Sequence, residues 1–292
     1  MSLNAKQRSF LELLKGTATG FGKVFFVGLE SQTWHSELVS QFSPGSVKGT
    51  LSQALSACVS GRGDTVVVLP GTHTQTAELD VTKSCTIMGL PGMAGQTVLT
   101  TSATSGHLID LAASCNVANL TLHANASGAD AEHEISAALN LAASNCTVTD
   151  CLFDTKEGGT ANDGITIAKA MVNTTISGCT FLGTRHGIAP ALSQSGDVID
   201  NLYVENCRFV NPTVSAIIEV ADPVTESTAL GLIGSIVKDC TFMGDGSGSV
   251  INFGVASGTA SVVLLADCWF SCVVGDLNLG SSVDRIGGAV TS

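Results

Sequence analysis

The stretch CTVTDCLFD, residues 146–154, places an apolar residue, a turn residue, a cysteine and a phenylalanine in a fixed order. The same order returns in TTISGCTFLG (174–183), LYVENCRFVN (202–211), SIVKDCTFMG (235–244) and VLLADCWFS (263–271). The turn residues are Asp150, Gly178, Asn206, Asp239 and Asp267, so the steps between repeats are 28, 28, 33 and 28 residues. Two weaker copies, CTIMGL (85–90) and CNVANLTLH (115–123), extend the pattern toward the N-terminus, with Gly89 and Asn119 as turn residues.

Aligned on these turns, the repeats form columns of similar residues. One column is Ile87, Val117, Val148, Ile176, Val204, Val237 and Leu265. A second is Leu120, Cys151, Cys179, Cys207, Cys240 and Cys268, followed two residues later by Leu122, Phe153, Phe181, Phe209, Phe242 and Phe270. A further column is Ile109, Leu139, Ile165, Ile188, Ile217 and Ile251. A repeat this short cannot bury its own apolar side, so the repeats must stack as parallel strands about 4.8 Å apart. The sequence predicts an all-β, single-stranded right-handed parallel β-helix of about seven coils.

The ten cysteines fit this core better than a disulfide framework. Cysteine is small and behaves as an apolar residue when buried, so a cysteine column packs as core. No CxxC pair occurs and no secretory signal peptide is visible, so we expect reduced thiols in a chain made in a cytoplasm.

The segment VKGTLSQALSACVSGRGDTVVVLPGTHTQ (47–75) precedes the repeats. Leu51, Leu55 and Cys58 follow helical spacing, and Gly61 is a natural stop. We therefore expect a short capping helix over the open end of the core, which a stack of strands would otherwise expose. The tripeptide Arg62-Gly63-Asp64, known from cell-adhesion ligands, is then a turn into the first strand.

Composition excludes several partners. The formal net charge is −12, so neither nucleic acid nor an anionic membrane surface is expected to bind. No apolar run approaches the roughly 20 residues of a membrane helix. We expect no cofactor.

The helix followed by GDTVVVLPGT (63–72) and CTIMGL (85–90) resembles the first coil of the pectate-lyase-like β-helix superfamily. The resemblance continues through the repeats to about residue 275. With GKVFFVGLES (22–31), the segment 42–74 is more particularly similar to β-helical virion structural proteins of tailed bacteriophages. That resemblance implies a capsid decoration or cement protein that binds the major capsid protein, located on the virion and synthesised in the bacterial host cytoplasm. It carries no motif-defined functional residues.

Many β-helices of this superfamily cleave polysaccharides, so an enzyme is the main alternative. Polygalacturonase-like hydrolases have NTD, DD, GHG and RIK motifs, and this chain has none of them. Asp154, Asp163 and His186 are the residues that could line one face as a catalytic group, since glycoside cleavage needs two convergent carboxylates. Solvated loop positions around the coils are the favoured interpretation.

Two further sets of side chains are candidates for binding. His123, Asp130 and His133 lie in HANASGADAEHE (123–134) and could hold a divalent metal, although a solvated loop is the favoured interpretation. Trp34, Tyr203 and Trp269 are candidate partner contacts. Tyr203 and Trp269 alternate with buried columns and should point outward, toward a partner, a neighbouring subunit or a sugar.

The predicted organisation is an N-terminal arm or cap over residues 1–48, the β-helix over 49–275 and a tail over 276–292. The favoured function is a non-enzymatic virion protein, expected to be a homotrimer. A polysaccharide-binding or polysaccharide-degrading tailspike and a glycan- or receptor-binding module without chemistry are the competing hypotheses.

Overall fold

A computed structural model describes most of the chain. The described residues are Ser9, His35 and residues 22–29, 39–40, 42–43, 45–102, 106–124, 137–154, 162–167, 171–190, 198–213, 215–217, 231–244, 249–252, 263–271, 277–278 and 283–286. In the described part of the chain, no helix has the length and apolar character needed to cross a membrane.

The strands, numbered in chain order, form three sheets. Sheet A contains β1 (Val24–Val27), β2 (Val47–Lys48), β3 (Asp64–Val68), β6 (Cys85–Met88), β9 (Asn116–Ala118), β12 (Thr147–Thr149), β15 (Met171–Ser177), β18 (Val198–Glu205), β21 (Gly231–Ile233), β22 (Ser235–Lys238), β25 (Val263–Ala266) and β28 (Val283–Ile286). Sheet B contains β4 (Gly71–Gln75), β7 (Thr97–Thr101), β10 (Thr121–His123), β13 (Leu152–Asp154), β16 (Thr180–Leu182), β19 (Arg208–Val210), β23 (Thr241–Met243) and β26 (Trp269–Ser271). Sheet C contains β5 (Leu79–Val81), β8 (Ile109–Leu111), β11 (Ala137–Leu141), β14 (Asp163–Ile167), β17 (His186–Pro190), β20 (Ser215–Ile217), β24 (Ser249–Asn252) and β27 (Leu277–Asn278).

Each coil passes through sheets A, B and C in turn, and strands of successive coils pair in parallel. Within the described residues, eight coils from β3 to β27 contribute a strand to every sheet. This is one coil more than the seven repeats, because the coil from Asp64 to Val81 lacks the Cys and Phe signature. In that coil His73 occupies the phenylalanine column, opposite Leu99, and its ring nitrogen lies 2.8 Å from the Leu69 carbonyl oxygen.

The predicted columns are confirmed as strand registers. Val148 pairs with Val117 and with Ile176, and the column continues to Leu265. The column through Ile165 runs without interruption from Ile109 to Ile251. The five phenylalanine rings of Phe153, Phe181, Phe209, Phe242 and Phe270 stack with centroids 4.6–5.1 Å apart and planes within 8°. The coil spacing therefore sets the ring spacing.

The cysteines are buried in the core. The nine described cysteines are free and buried, and Cys272 lies outside the described residues. In the predicted column, from Cys151 to Cys268, each thiol lies 3.2–3.4 Å from the carbonyl oxygen two residues earlier. Hydrogen bonding to Cys207 raises the pKa of Cys240 to about 12, so that thiol stays protonated at neutral pH. A second, unpredicted column at the start of sheet A contains Cys85, Cys115 and Cys146, which immediately precede residues paired in register.

The corner between sheets A and B uses left-handed backbone, as predicted from its Asn, Asp and Gly residues. The φ angles are 50–63° at Asn119, Asp150, Gly178, Asn206, Asp239 and Asp267. Gly89 is an exception, because its φ is not positive. Glycine is needed there because the backbone of the next coil passes close to it: a Cβ atom at this position would collide with the Asn119 carbonyl oxygen.

A second set of left-handed residues, which the repeat did not predict, lies just before β12 and within β15 and β18 of sheet A. Asn145, Asn173 and Asn201 have φ angles of 55–58° there. The Nδ2 atom of Asn173 donates to Oδ1 of Asn145 at 3.3 Å, and Asn201 donates to Asn173 at the same distance. These amides therefore connect three successive coils along the outside.

Small residues in sheet C accommodate the phenylalanine stack. Gly164 and Gly187 pair one above the other, as follows from the register of Ile165 with Ile188. A Cβ atom on Gly164 would lie 2.7 Å from the Phe181 ring, and one on Gly187 would lie 2.7 Å from the Phe209 ring. Side chains at these two positions would displace the rings.

The N-terminal end is covered as predicted. Helix α1 (Leu51–Ala57) begins at Thr50, whose Oγ1 accepts the Gln53 N–H at 3.2 Å, and it buries Leu51, Ala54 and Leu55. Strand β1 pairs with β3 and β2, so segments of the predicted arm extend sheet A. At the other end β28 pairs with β25, so strand pairing continues beyond residue 275.

We expect Gly187→Ala to lower the free energy of unfolding by about 1–3 kcal/mol, the usual cost of overpacking a dense core. The matched change Gly95→Ala should have little effect, since a Cβ atom there meets nothing within 4 Å. Thermal or urea unfolding of the two variants beside the unsubstituted protein measures the difference. Equal stability of the two variants would contradict the packing argument.

Candidate functional site

Asp163 and His186, two of the predicted catalytic residues, lie in adjacent coils of sheet C. The pairing of Ile165 with Ile188 places Asp163 at the register position of His186, and the column continues to Ser215 in β20. The backbone N–H of His186 donates to Oδ1 of Asp163 at 3.2 Å. The two side chains are 0% and 2% exposed, so they lie in the wall of the coil and not in an open groove.

The electrostatics of His186 follow from this burial. Burial, together with the positive charge of Arg185, lowers the pKa of His186 to about 4. The imidazole is therefore neutral at pH 7. Asp154, the third predicted catalytic residue, is half-buried at the end of β13 in sheet B. The structure thus brings Asp163 and His186 together and places Asp154 on a different sheet.

The predicted metal ligands are only partly described. His123 ends β10 and is half-buried, whereas Asp130 and His133 lie outside the described residues. A different group of side chains is close enough together to hold a metal ion. Carboxylate oxygens of Glu78, Asp80 and Asp110 lie within 4.8 Å of one another. Oxygen ligands of this kind suit calcium or magnesium.

Two of these three carboxylates accept hydrogen bonds between coils. Glu78 accepts the backbone N–H of His107 at 2.9 Å, and Asp110 accepts Nδ2 of Asn140 at 2.8 Å. An open cleft of about 320 Å³ between α1 and β5 includes Glu78 and Asp80 in its lining. The sequence signal for this group was the spacing of 30 residues between LDV (79–81) and IDL (109–111), which places Asp80 and Asp110 in one outward column.

The predicted partner contacts lie on different faces. Tyr203 is 38% exposed and Trp269 is 41% exposed, so both side chains point outward as the alternation predicts. Tyr203 belongs to β18 in sheet A and Trp269 to β26 in sheet B, with the left-handed corner between the two sheets. Trp34 lies outside the described residues.

The Arg62-Gly63-Asp64 tripeptide is part of the N-terminal closure. Asp64 is fully buried, and its carboxylate accepts Nη2 of Arg62 at 2.6 Å and the N–H groups of Lys23 and Val59 at 2.7 Å each. Burial favours the neutral carboxyl, but the hydrogen bonds from Arg62 and the backbone outweigh it and lower the pKa of Asp64. A buried carboxylate cannot contact a receptor, so this tripeptide has a structural role.

No protein-family model matches the sequence, and no curated protein matches it. Solved structures do match. The pectin methylesterase of Aspergillus niger superposes with a TM-score of 0.53 at 14% identity, covering 92% of this chain and 91% of that one. The chain has the right-handed parallel β-helix fold of the pectin methylesterases.

Two other structures have comparable likeness. Escherichia coli ybhc matches with a TM-score of 0.54 at 13% identity over 86% of this chain and 76% of that chain. ORF18 of Geobacillus virus E2 matches with a TM-score of 0.52 at 15% identity over 92% of this chain and 52% of the viral chain. At such identities the likeness establishes the fold and assigns no activity.

Replacement of the buried carboxylate by Asp64→Asn should lower the free energy of unfolding by about 1–3 kcal/mol, the usual cost of unsatisfied buried groups. Because the folded pKa is depressed, the stabilisation by Asp64 is fully present above the unfolded pKa of about 3.9 and is lost as pH falls through the folded pKa. Urea unfolding from neutral to acid pH measures both effects. A variant whose stability falls with acid as steeply as that of the original protein would refute this role.

His186 should contribute a second pH dependence, at milder acidity. An unfolded imidazole has a pKa of about 6.5, whereas folded His186 has a pKa of about 4. Between these values the unfolded state binds a proton that the folded state excludes, so the contribution of His186 to stability falls as pH drops from about 6.5 to 4. In His186→Gln the slope of stability against pH should be shallower in this window, as measured by urea titration. An unchanged slope would show that His186 does not titrate in this way.

Proposed function

We propose that this chain is a non-enzymatic structural protein of a tailed-bacteriophage virion, a capsid decoration protein that binds the major capsid protein. The observation that carries the proposal is the burial of Asp163 and His186, the one pair of predicted catalytic residues that the fold brings together. A polysaccharide cannot reach side chains that are 0% and 2% exposed. The similarity of residues 22–31 and 42–74 to β-helical virion proteins supplies the virion context.

The charge of the protein also favours this function over action on an acidic polysaccharide. The chain carries a formal net charge of −12, and three of its carboxylates cluster at Glu78, Asp80 and Asp110. Such a surface repels a polymer of uronic acids, which an enzyme of that class must bind. A decoration protein has no comparable requirement.

The architecture suits a mechanical role. Columns of apolar side chains and inter-coil hydrogen bonds run the length of the described coils, so the molecule is a stiff body. Binding of such a body across neighbouring capsid subunits stabilises a shell by mass action, because it binds the assembled state in preference to the free subunits. Association as a homotrimer would match a capsid three-fold position.

A tailspike-like polysaccharide-binding or polysaccharide-degrading protein is the second candidate. The observation in its favour is the exposed indole of Trp269, since aromatic side chains serve as platforms for sugars. The shared fold with pectin methylesterases agrees with this candidate as well, although fold alone does not assign activity. Loss of glycan binding in Trp269→Ala would support it.

The first experiment is a copy count in purified particles of the source virus, by quantitative mass spectrometry against the major capsid protein. We expect a ratio near one, or one trimer for each capsid three-fold position. Particles that lack the protein should release their DNA at a lower temperature, and purified protein added back should restore the original temperature. Addition of an unrelated protein of similar net charge controls for general effects of the added protein.

The two functions give different results. A few copies per particle, with glycan binding or cleavage that Asp163→Ala or Trp269→Ala removes, would establish the tailspike function and overturn the decoration function. Absence of the protein from particles would overturn both virion functions. The glycan assay needs a panel of acidic and neutral polysaccharides, including methylated pectin, with an active pectin methylesterase as positive control.

A further inference from the structure

Three thiols form a cluster where the N-terminal cap meets the first coils. Cys58 follows helix α1, and Cys85 and Cys115 lie one above the other at the start of sheet A, since Thr86 pairs with Asn116. The thiol of Cys85 lies between the other two and hydrogen-bonds to both. The cap and two successive coils therefore have neighbouring sulfur atoms.

Backbone geometry favours one pair of these thiols for a covalent bond. Equivalent atoms of in-register parallel strands are about 4.8 Å apart, whereas the two Cβ atoms of a disulfide are about 3.5–4.5 Å apart. A bond between Cys85 and Cys115 would therefore pull two paired strands together. Cys58 belongs to no strand and ends α1 in extended backbone, with φ of −65° and ψ of 153°. It can approach Cys85 without disturbing a strand pair.

Solvent reaches this cluster more than it reaches the other thiols. Cys85 is 6% exposed, whereas the other eight described cysteines are 0–2% exposed. The open cleft between α1 and β5 is lined by Ser56 and Lys83, which lie two residues before Cys58 and Cys85 respectively. A small oxidant in this cleft is therefore next to the segments that carry both thiols.

The surroundings of Cys58 favour the reactive thiolate. The hydrogen bond from Cys85 outweighs burial and lowers the pKa of Cys58, and the positive charge of Lys83 acts in the same direction. In the long cysteine column the tendency is the opposite, because hydrogen bonding to the thiol of the preceding coil raises the pKa of Cys240 to about 12. Thiols of that column are therefore poor nucleophiles at neutral pH.

We propose that Cys58 and Cys85 are a site of oxidation by peroxides, at which a disulfide fastens the N-terminal cap to the first coils. The Cys58 thiolate attacks one oxygen of hydrogen peroxide, which gives a sulfenic acid and hydroxide. The Cys85 thiol then attacks the Cys58 sulfur, and the sulfenic oxygen leaves as water with the proton of Cys85. Two thiols thus reduce one peroxide to two waters. The new bond constrains the unfolded chain and stabilises the cap against opening.

Mass spectrometry of the oxidised full chain tests this site. The purified, reduced protein is treated in its folded state with a small molar excess of hydrogen peroxide, and the remaining thiols are blocked with N-ethylmaleimide in denaturant. Digestion without reduction, by trypsin after Lys83 and chymotrypsin after Leu99, separates Cys85 from Cys115. We expect a peptide that links Cys58 to Cys85 and a loss of two of the ten thiols. The midpoint of thermal unfolding should rise by several degrees, and dithiothreitol should reverse the rise.

Two matched variants separate this site from the other thiols. Cys58→Ser should have no oxidation-dependent rise in the unfolding midpoint, whereas Cys240→Ser, which removes an equally buried thiol, should retain it. A link between Cys85 and Cys115, a link within the long column, or ten unreacted thiols after treatment would overturn the proposal. Oxidation of Cys58 to a sulfinic acid without a link would overturn it as well. Because the link is identified in the unsubstituted protein, these outcomes hold even if Cys58→Ser does not fold.

Discussion

In-register stacking of parallel strands is the constraint on which the rest of this structure depends. Each residue in a coil lies about 4.8 Å from its equivalent in the next coil, so a side chain must be compatible with a copy of itself. Phenylalanine rings satisfy this requirement by face-to-face offset stacking, and thiols satisfy it by donating to main-chain carbonyls. Asparagine satisfies it at positions 145, 173 and 201, where each amide donates to the equivalent amide of the preceding coil. A charged side chain does not, and the two buried carboxylates among the described residues, Asp64 and Asp163, each accept hydrogen bonds from the backbone.

The repeating part of the fold could be predicted from the sequence. Residues that are stacked on one another in successive coils recur along the sequence at a nearly constant spacing, so the spacing reveals which residues are neighbours in space. Val148 and Ile176 pair in space because they share a place in the repeat. Features that depend on contacts between columns were not accessible in the same way. Gly164 and Gly187 fit the phenylalanine stack only when the sheet C strands are placed against it, and nothing in their local sequence marks that contact. His73 occupies the phenylalanine column in the first coil, so that coil was indicated by the resemblance of residues 63–72 and not by the repeat.

The candidate site was less predictable than the fold, since exposure depends on side-chain direction at the ends of short strands. Asp154, Asp163 and His186 were expected to line one face; the structure places Asp163 and His186 in register, puts Asp154 on another sheet, and buries the first two away from solvent. Burial was equally inaccessible from the sequence for Arg62 and Asp64. This motif is known from recognition, but here the two side chains form a hydrogen-bonded pair that closes the N-terminal end of the β-helix. Surface properties that follow from strand alternation were accessible, as the exposure of Tyr203 and Trp269 illustrates.

The cysteine columns have a consequence for how opening of this molecule can be followed. From the fourth coil to the eighth, every coil contains one thiol of the same column, shielded from solvent while its coil is intact. A solenoid loses structure coil by coil, since each coil contacts only its neighbours. Alkylating reagents would therefore label these thiols in the order in which the coils open. The sequence thus contains a series of natural reporters along the axis, and peptide mapping of the label would reveal the end from which the rod comes apart.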